Sequence, residues 1–232
     1  MQEFPQHLVL VRHGQSAANA ALKSETDALY YYDHSNSSSD REVPLTALGV
    51  RQVSECGSRL ARVFPPEAPL QRILLSPYWR IRQTVDGIVH ELAYKPEQAE
   101  DERLSKRNYG AFWNLTYKGL AELFPEEYAR LVDEGLLSYR PPGGENYFDL
   151  FSRFADFYQH ELAEATGNLL VATHSVGILA LQRLLEGLPD EDVVRLYEGT
   201  ALANGHMQIY ERRAPDLPWQ RCLLPDENEA VP

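Results

Sequence analysis

The sequence predicts a three-layer α/β fold: a mostly parallel central sheet with helices on both faces and a helical cap insertion. Three stretches carry this expectation. Each is a short apolar run, then a cationic or imidazole group near its end, then a helical pattern. They are Leu8–Val11 ahead of Arg12, His13 and Gly14, Arg72–Ser76 ahead of Pro77 and Arg80, and Leu169–Ala172 ahead of His174. Continuous apolar runs of this length mark strands buried on both faces, as in parallel sheets. Ligands of such sheets bind beyond the carboxyl ends of the strands, where helix N-termini offer free N–H groups and a positive dipole end.

In the first unit a guanidinium and an imidazole close the strand, and Gly14 permits a sharp turn and a close backbone approach. A helix is expected from near Gln15–Ser16 through Leu22. Asp27 to Asp40 is rich in turn-forming residues and reads as a long loop, functional or simply solvated. Its tyrosines, Tyr30, Tyr31 and Tyr32, either line a pocket mouth or pack on the sheet. Thr46 is placed to N-cap a second helix, with apolar positions at Val50, Val53, Leu60 and Val63, which Pro65 to Pro69 ends.

The second strand unit puts Pro77 at a helix N1 position and Arg80 in the first turn. A cation there is opposed by the helix dipole, so an anion bound at the same end would explain it. Arg82, two residues on, reads as a solvated charge. The cap insertion, about 108–142, holds Phe112, Trp113, Tyr117, Phe124, Tyr128 and Tyr139, with helical spacing at Leu120, Leu123, Tyr128 and Leu131. Core packing is the expectation for most of these aromatics. Glu145 and Asn146 then start a helix, Tyr147 to Ala163, with Phe148, Phe151, Phe154 and Tyr158 on its apolar face. After the third unit and its helix, Val176 to Leu185, the alternation in His206–Tyr210 predicts the last strand. The acidic tail, about 225–232, is expected to lack fixed structure.

Composition narrows the function. The 232 residues, 44% hydrophobic, suit one large domain, taken as 1–232. A net charge of −12 argues against a nucleic-acid partner and requires that an anionic ligand be met by locally clustered cations. Cys56 and Cys222 form no disulfide framework and no metal-ligand spacing, so a reducing, cytoplasmic setting is expected. No secretory signal, no membrane-spanning run and no ligand cluster for a metal or other cofactor are visible.

Arg-His-Gly-x-Ser-x-x-Asn, Arg12 to Asn19, resembles the opening of the histidine phosphatase superfamily, in its phosphoglycerate mutase-like branch. Further landmarks follow in that family's order: Pro-Leu-Thr-x-x-Gly at Pro44–Gly49, Ser-Pro-x-x-Arg-x-x-Gln-Thr at Ser76–Thr84, Gly-Glu-Asn at Gly144–Asn146, and His-Ser-Val-Gly at His174–Gly177. The resemblance spans Leu8 to Tyr210. It implies a phosphohistidine on His13, with Arg12, Arg80 and His174 on the phosphate and a cap that sets substrate choice. Ser16, Asn19 and Ser175 are candidate phosphate or substrate ligands, and Gly49 is expected to ease helix–sheet packing. The partner implied is a small phosphorylated substrate or phosphate. The acid-phosphatase branch is disfavoured, because Ser175, not Asp, follows His174.

In one place the sequence departs from the family. Its leaving-group acid is a Glu in Leu-x-Glu-x-x-x-Gly, and aligning Leu104 and Gly110 with that pattern puts Lys106 there. A carboxylic acid can give and retake a proton near neutrality, whereas a lysine, ordinarily titrating at about 10.4, suits the task poorly unless buried. Glu102 and Glu145 are the nearest alternatives. The expectation is a phosphomonoester hydrolase, slow if nothing replaces the acid. A relative without efficient turnover that binds a phosphorylated ligand or protein partner is the alternative, and a phosphoglycerate mutase a weaker one.

Overall fold

The computed structural model describes residues 6–24, 28–31, 39–189, 192, 195, 202–214 and 216–222. The acidic tail, Tyr32 and most of the serine-rich loop therefore lie outside the described residues. A six-stranded mixed sheet runs through the molecule in the order β3-β2-β4-β1-β5-β6. Its strands are β1 (Gln6–Arg12), β2 (Leu70–Leu75), β3 (Glu97–Glu100), β4 (Asn168–Thr173), β5 (Met207–Arg212) and β6 (Gln220–Cys222). β1, β2, β3 and β4 are mutually parallel, and β5 and β6 add antiparallel pairs at one edge. His206–Tyr210 thus foreshadows β5, but the short β6 is the last strand.

Alternation along the central strands explains the layers. Leu8, Leu10, Leu169 and Val171 face one core, with α6 (Tyr147–Phe157) and α7 (Ser175–Glu186) packed on it. Val9, Val11, Leu170 and Ala172 face the other, under α2 (Ala47–Val63) and α3 (Trp79–Glu91). Leu8 to Val11 are all 0% exposed. Each such side chain contributes about 1.5–3 kcal/mol relative to an exposed one. Burial on both sides is why these strands read as unbroken apolar runs.

α1 (Ala17–Ser24) and α2 begin where the sequence suggests. Thr46 accepts from the Gly49 amide as N-cap, which satisfies one of the unpaired N–H groups at that helix start. Val50 points outward, 52% exposed, so the apolar stripe of α2 is narrower than expected. Gly49 packs against the β1–α1 loop, not the sheet: a Cβ there would lie 2.2 Å from the Gln15 carbonyl oxygen, and one on Gly14 would lie 2.5 Å from the Gly49 carbonyl oxygen. Pro77 precedes the N-cap of α3, Tyr78, and so is not at N1.

The cap holds α4 (Tyr117–Leu123) and α5 (Pro125–Glu134), parted at Phe124 because Pro125 cannot donate into the preceding helix. Of the six aromatics named above, Phe112 and Tyr139 are buried, but Tyr117, Phe124 and Tyr128 are substantially exposed. Phe112, Leu120, Leu131 and Tyr139 form a small cluster, and Phe124 packs on its edge with its ring centroid 4.9 Å from that of Phe112. Asn146 starts α6 through a reciprocal capping box with Asp149. α6 passes into a π-turn at Tyr158–Leu162. Phe148 is exposed, and Tyr147 and Phe157 take the buried positions instead.

Candidate active site

Parallel register brings the three units to one edge. Arg12 pairs with Thr173, and Leu75 with Ala172. The strands then continue to bond past their ends, from the His13 amide to the Thr173 carbonyl (3.3 Å) and from the Ser76 amide to the Ala172 carbonyl (3.1 Å). His13, Ser76 and His174 therefore emerge side by side. A cavity of about 410 Å³ opens there, and Arg12, His13, Ser16, Asn19, Arg80, Lys106, His174 and Ser175 all line it.

His13 is 4% exposed and its Nδ1 donates to the Gly14 carbonyl at 2.7 Å. A carbonyl only accepts, so Nδ1 carries the hydrogen and Nε2 keeps its lone pair. Burial, reinforced by the Arg80 and Arg12 guanidiniums, holds the His13 pKa well below the ordinary imidazole value. Both effects favour the neutral ring. His174 lies against it with ring centroids 5.3 Å apart. Arg80 Nη2 approaches His174 Nδ1 at 3.5 Å, and a guanidinium only donates, so His174 Nε2 carries the hydrogen and donates to Ser76 Oγ at 3.1 Å. Burial first, then Arg80, lowers the His174 pKa in the same sense.

The cations are held rigidly. Arg12 donates to the Leu202 carbonyl. Arg80 is 3% exposed and stacks on Tyr78, with the guanidinium carbon 4.8 Å from the ring centroid. Its helix is locked to the β1–α1 loop through Thr84, whose hydroxyl donates to the Arg80 carbonyl (2.7 Å) and accepts from the Gly14 amide (3.3 Å). Asn19 Oδ1 accepts from the Ser16 amide (3.2 Å), the Ser16 hydroxyl (3.0 Å) and Asn204 Nδ2 (3.0 Å). Ser175 opens α7, so the N-terminus of that helix faces the cavity. The floor is built to receive an anion.

Lys106 lies on the cavity wall, carried by Leu104, which is fully buried and whose carbonyl accepts from Thr173 Oγ1 at 2.7 Å. Glu102 and Glu145 do not line this cavity. Glu102 pairs with Arg41 at the surface (2.6 Å). Glu145 accepts from Arg153 Nε (2.7 Å) and from the Asn108 amide (2.9 Å). Arg82 is half-exposed and pairs with Glu100, a solvated charge as expected.

Sequence reasoning did not find Asp40. Its carboxylate lines the cavity, 2.8 Å from Lys106 Nζ and 3.0 Å from Arg80 Nη1, and its carbonyl accepts from Arg80 Nη1 at 2.7 Å. Burial pushes the Asp40 carboxyl up, but Lys106 and Arg80 together outweigh it and hold it below the usual carboxylate range. Arg107 was also missed. It is 3% exposed, lines the cavity, donates to the Glu145 and Tyr139 carbonyls (2.9 Å each) and lies against the Tyr109 and Tyr147 rings. The density of aromatics around it was the available signal. Tyr31 and Trp113 complete one wall, and burial raises the Tyr31 hydroxyl to about 12.

The profile of the histidine phosphatase superfamily (branch 1) matches residues 8–213. A 2,3-bisphosphoglycerate-dependent phosphoglycerate mutase 2 of Gloeobacter violaceus is 29% identical over 194 residues, covering 82% of this chain and 80% of that protein. Among solved structures, the alpha-ribazole phosphatase from Shigella flexneri superposes with a TM-score of 0.70 at 21% identity, covering 93% of this chain and 95% of that one. A mycobacterial glucosyl-3-phosphoglycerate phosphatase, solved with VO3, superposes with a TM-score of 0.65 at 21% identity, covering 94% and 97%.

Proposed function

The chain belongs to the histidine phosphatase superfamily, and from that membership we propose that it is a phosphomonoester hydrolase working through a phosphohistidine on His13. The observation that carries this is the state of His13: neutral, with Nδ1 committed to the Gly14 carbonyl and Nε2 left as a nucleophile among two guanidiniums. Arg12 and Arg80 bind the equatorial phosphoryl oxygens and draw charge off them. Their positive charge does the work that a metal ion does in other phosphoryl-transfer enzymes. No group of three or more His, Cys, Asp or Glu placed to hold a metal occurs among the described residues.

In the first step Nε2 attacks phosphorus in line and the ester bond to the leaving oxygen breaks. Water then hydrolyses the phosphohistidine, releasing phosphate. The incoming dianion also favours protonated imidazole, so His174 becomes a donor to it once the site is filled. Two structurally similar proteins are phosphatases, which supports hydrolysis over isomerisation. The mutase name of the sequence relative favours a second reading, phosphoryl transfer between positions of one substrate. Lys106 at the acid position weighs against it.

Rapid quench with a nitrophenyl phosphate, followed by mapping of acid-labile phosphate, tests the proposal. Label on His13 with release of inorganic phosphate is the expected result. Label elsewhere, or none, overturns it. Isomer formed from a phosphoglycerate in the presence of its bisphosphate, without phosphate release, would establish the mutase instead.

A further inference from the structure

We propose that Asp40 is the proton donor to the leaving oxygen, supplying from a separate loop the carboxyl group that position 106 lacks. The inference rests on the phosphohydrolase reading above. Among the described residues that line the cavity, Asp40 is the single carboxylate. It is not a stray surface charge. Lys106 and Arg80 grip its two oxygens, at 2.8 and 3.0 Å, and Arg80 also grips its carbonyl. The short 3-10 turn that carries it, Asp40–Glu42, is pinned on the outer side by two Arg41–Glu102 hydrogen bonds of 2.9 and 2.6 Å.

Its two partners define where the carboxyl lies. Arg80 belongs to the floor that receives the phosphoryl group, and Lys106 to the wall. A group touching both sits at the junction between phosphoryl group and leaving group. Proton transfer needs a donor within hydrogen-bond reach of that bridging oxygen.

Substrate binding alters the charge that Asp40 meets. The groups around it are Arg80 and Tyr78 from the start of α3, Lys106 from the segment after β3, and the His13 and His174 rings behind Arg80. In the free site both cations hold it ionised. A bound phosphate ester takes Arg80 and adds a dianion nearby, and both changes favour a proton on the carboxyl. The carboxyl acquires that proton from solvent as the substrate binds. As His13 Nε2 bonds to phosphorus and the ester P–O bond breaks, the departing alkoxide takes this proton, leaving Asp40 as carboxylate. In the second step the carboxylate takes a proton from the attacking water, the P–N bond breaks, and phosphate and neutral His13 are restored. Lys106 orients the carboxyl through its contact with Oδ2.

The test is a leaving-group series, from nitrophenyl to simple alkyl phosphates, on the parent protein, Asp40→Asn and Asp40→Glu. General acid catalysis contributes roughly 10²–10⁴-fold. Asp40→Asn should lose a factor in that range in kcat/KM on alkyl esters and change by less than about threefold in kcat/KM on nitrophenyl phosphate, whose nitrophenolate departs unassisted, while kcat on nitrophenyl phosphate falls with the slower second step. Asp40→Glu should recover part of the alkyl rate. A loss in kcat/KM equal across the series overturns the assignment. So does a rise across the series with tighter inorganic phosphate, which would mark Asp40 as a competitor for Arg80 only. A parent protein inert toward every ester overturns the phosphohydrolase reading along with it, whereas an active parent with an unmoved series overturns Asp40 alone.

Discussion

The floor and the wall of the cavity are made in different ways. Arg12, His13 and His174 stand at or just past the ends of adjacent parallel strands, and Arg80 in the first turn of the helix after a third. Backbone register places them, and the backbone partners of His13 and Arg12 fix how they point. The wall is assembled from Asp40, Lys106 and Arg107, which come from segments outside the sheet: Asp40 and Lys106 pair through their side chains, and Arg107 is held by the Glu145 and Tyr139 carbonyls. Such a floor cannot change without changing the sheet. Such a wall can trade a carboxylate at one position for one at another, provided that the two segments still touch. Under the proposed function, phosphate capture belongs to the fold, whereas leaving-group chemistry belongs to this chain's loops.

Removing the nucleophile is the strongest way to break that contrast. His13→Ala should reduce turnover of nitrophenyl phosphate by roughly 10⁴-fold or more, since the loss of a nucleophile leaves only positioning and electrostatics. The loss should be the same for aryl and alkyl esters, because the in-line displacement needs its nucleophile whichever group departs. Steady-state rates on both esters check it, with circular dichroism confirming the fold. Arg80→Lys comes next. It keeps the charge but loses the fork, and should cost about 10²–10³-fold in kcat, the usual effect of one lost transition-state donor. It should also loosen Asp40, so here the alkyl rate should fall more than the aryl rate. Equal losses would mean that floor and wall are not coupled through Arg80.

How much of this was legible in the sequence follows the same division. Leu8–Val11, Arg72–Ser76 and Leu169–Ala172 are dense local signals, and each announces its strand and the polar group at its end. The Thr46 and Asn146 caps were legible for the same reason. Asp40 was not, because its partner Lys106 lies 66 residues away and no local pattern marks that pairing. Glu102 was drawn toward the site by proximity in sequence, yet Arg41 takes it outward to solvent. The outward turn of Phe148, Tyr128 and Val50 was hidden because periodicity sets a face but not the width of the surface that covers it.

The pH dependence of stability sharpens the contrast. Buried His13 and His174 have folded-state pKa values below the unfolded value of about 6.5. Between those values the unfolded chain binds more protons, so stability is complete above about pH 6.5 and falls as pH drops below it. The limiting slope is about 1.4 kcal/mol per pH unit for each histidine. Asp40, whose folded pKa is also depressed, loses its contribution only further down, below about pH 3.9. Urea unfolding across pH should therefore separate a floor transition from a wall transition. His174→Gln should make the upper one shallower and leave the lower one in place. An unchanged slope near pH 6 would mean that these rings are charged in the folded protein.

The smallest effects belong to the carboxylates that lie close in sequence but off the cavity. Glu145 is bound on both oxygens, by Arg153 and by the Asn108 amide, and Glu102 by Arg41. Neither lines the cavity that Asp40 lines, so neither is placed to serve as the acid. Glu102→Gln removes an exposed pair worth about 0–1 kcal/mol. Its only route to the chemistry is through Arg41 and the turn that carries Asp40. It should lower alkyl-ester turnover by no more than about threefold, within that energy, and leave aryl turnover alone. Glu145→Gln keeps a side chain that still accepts from the Asn108 amide, and should lower the melting temperature slightly without altering the dependence on leaving-group basicity. If either substitution steepens that dependence as much as Asp40→Asn does, the acid lies on the sequence-adjacent side of the wall after all, and the division between a fixed floor and a transferable wall loses its main support.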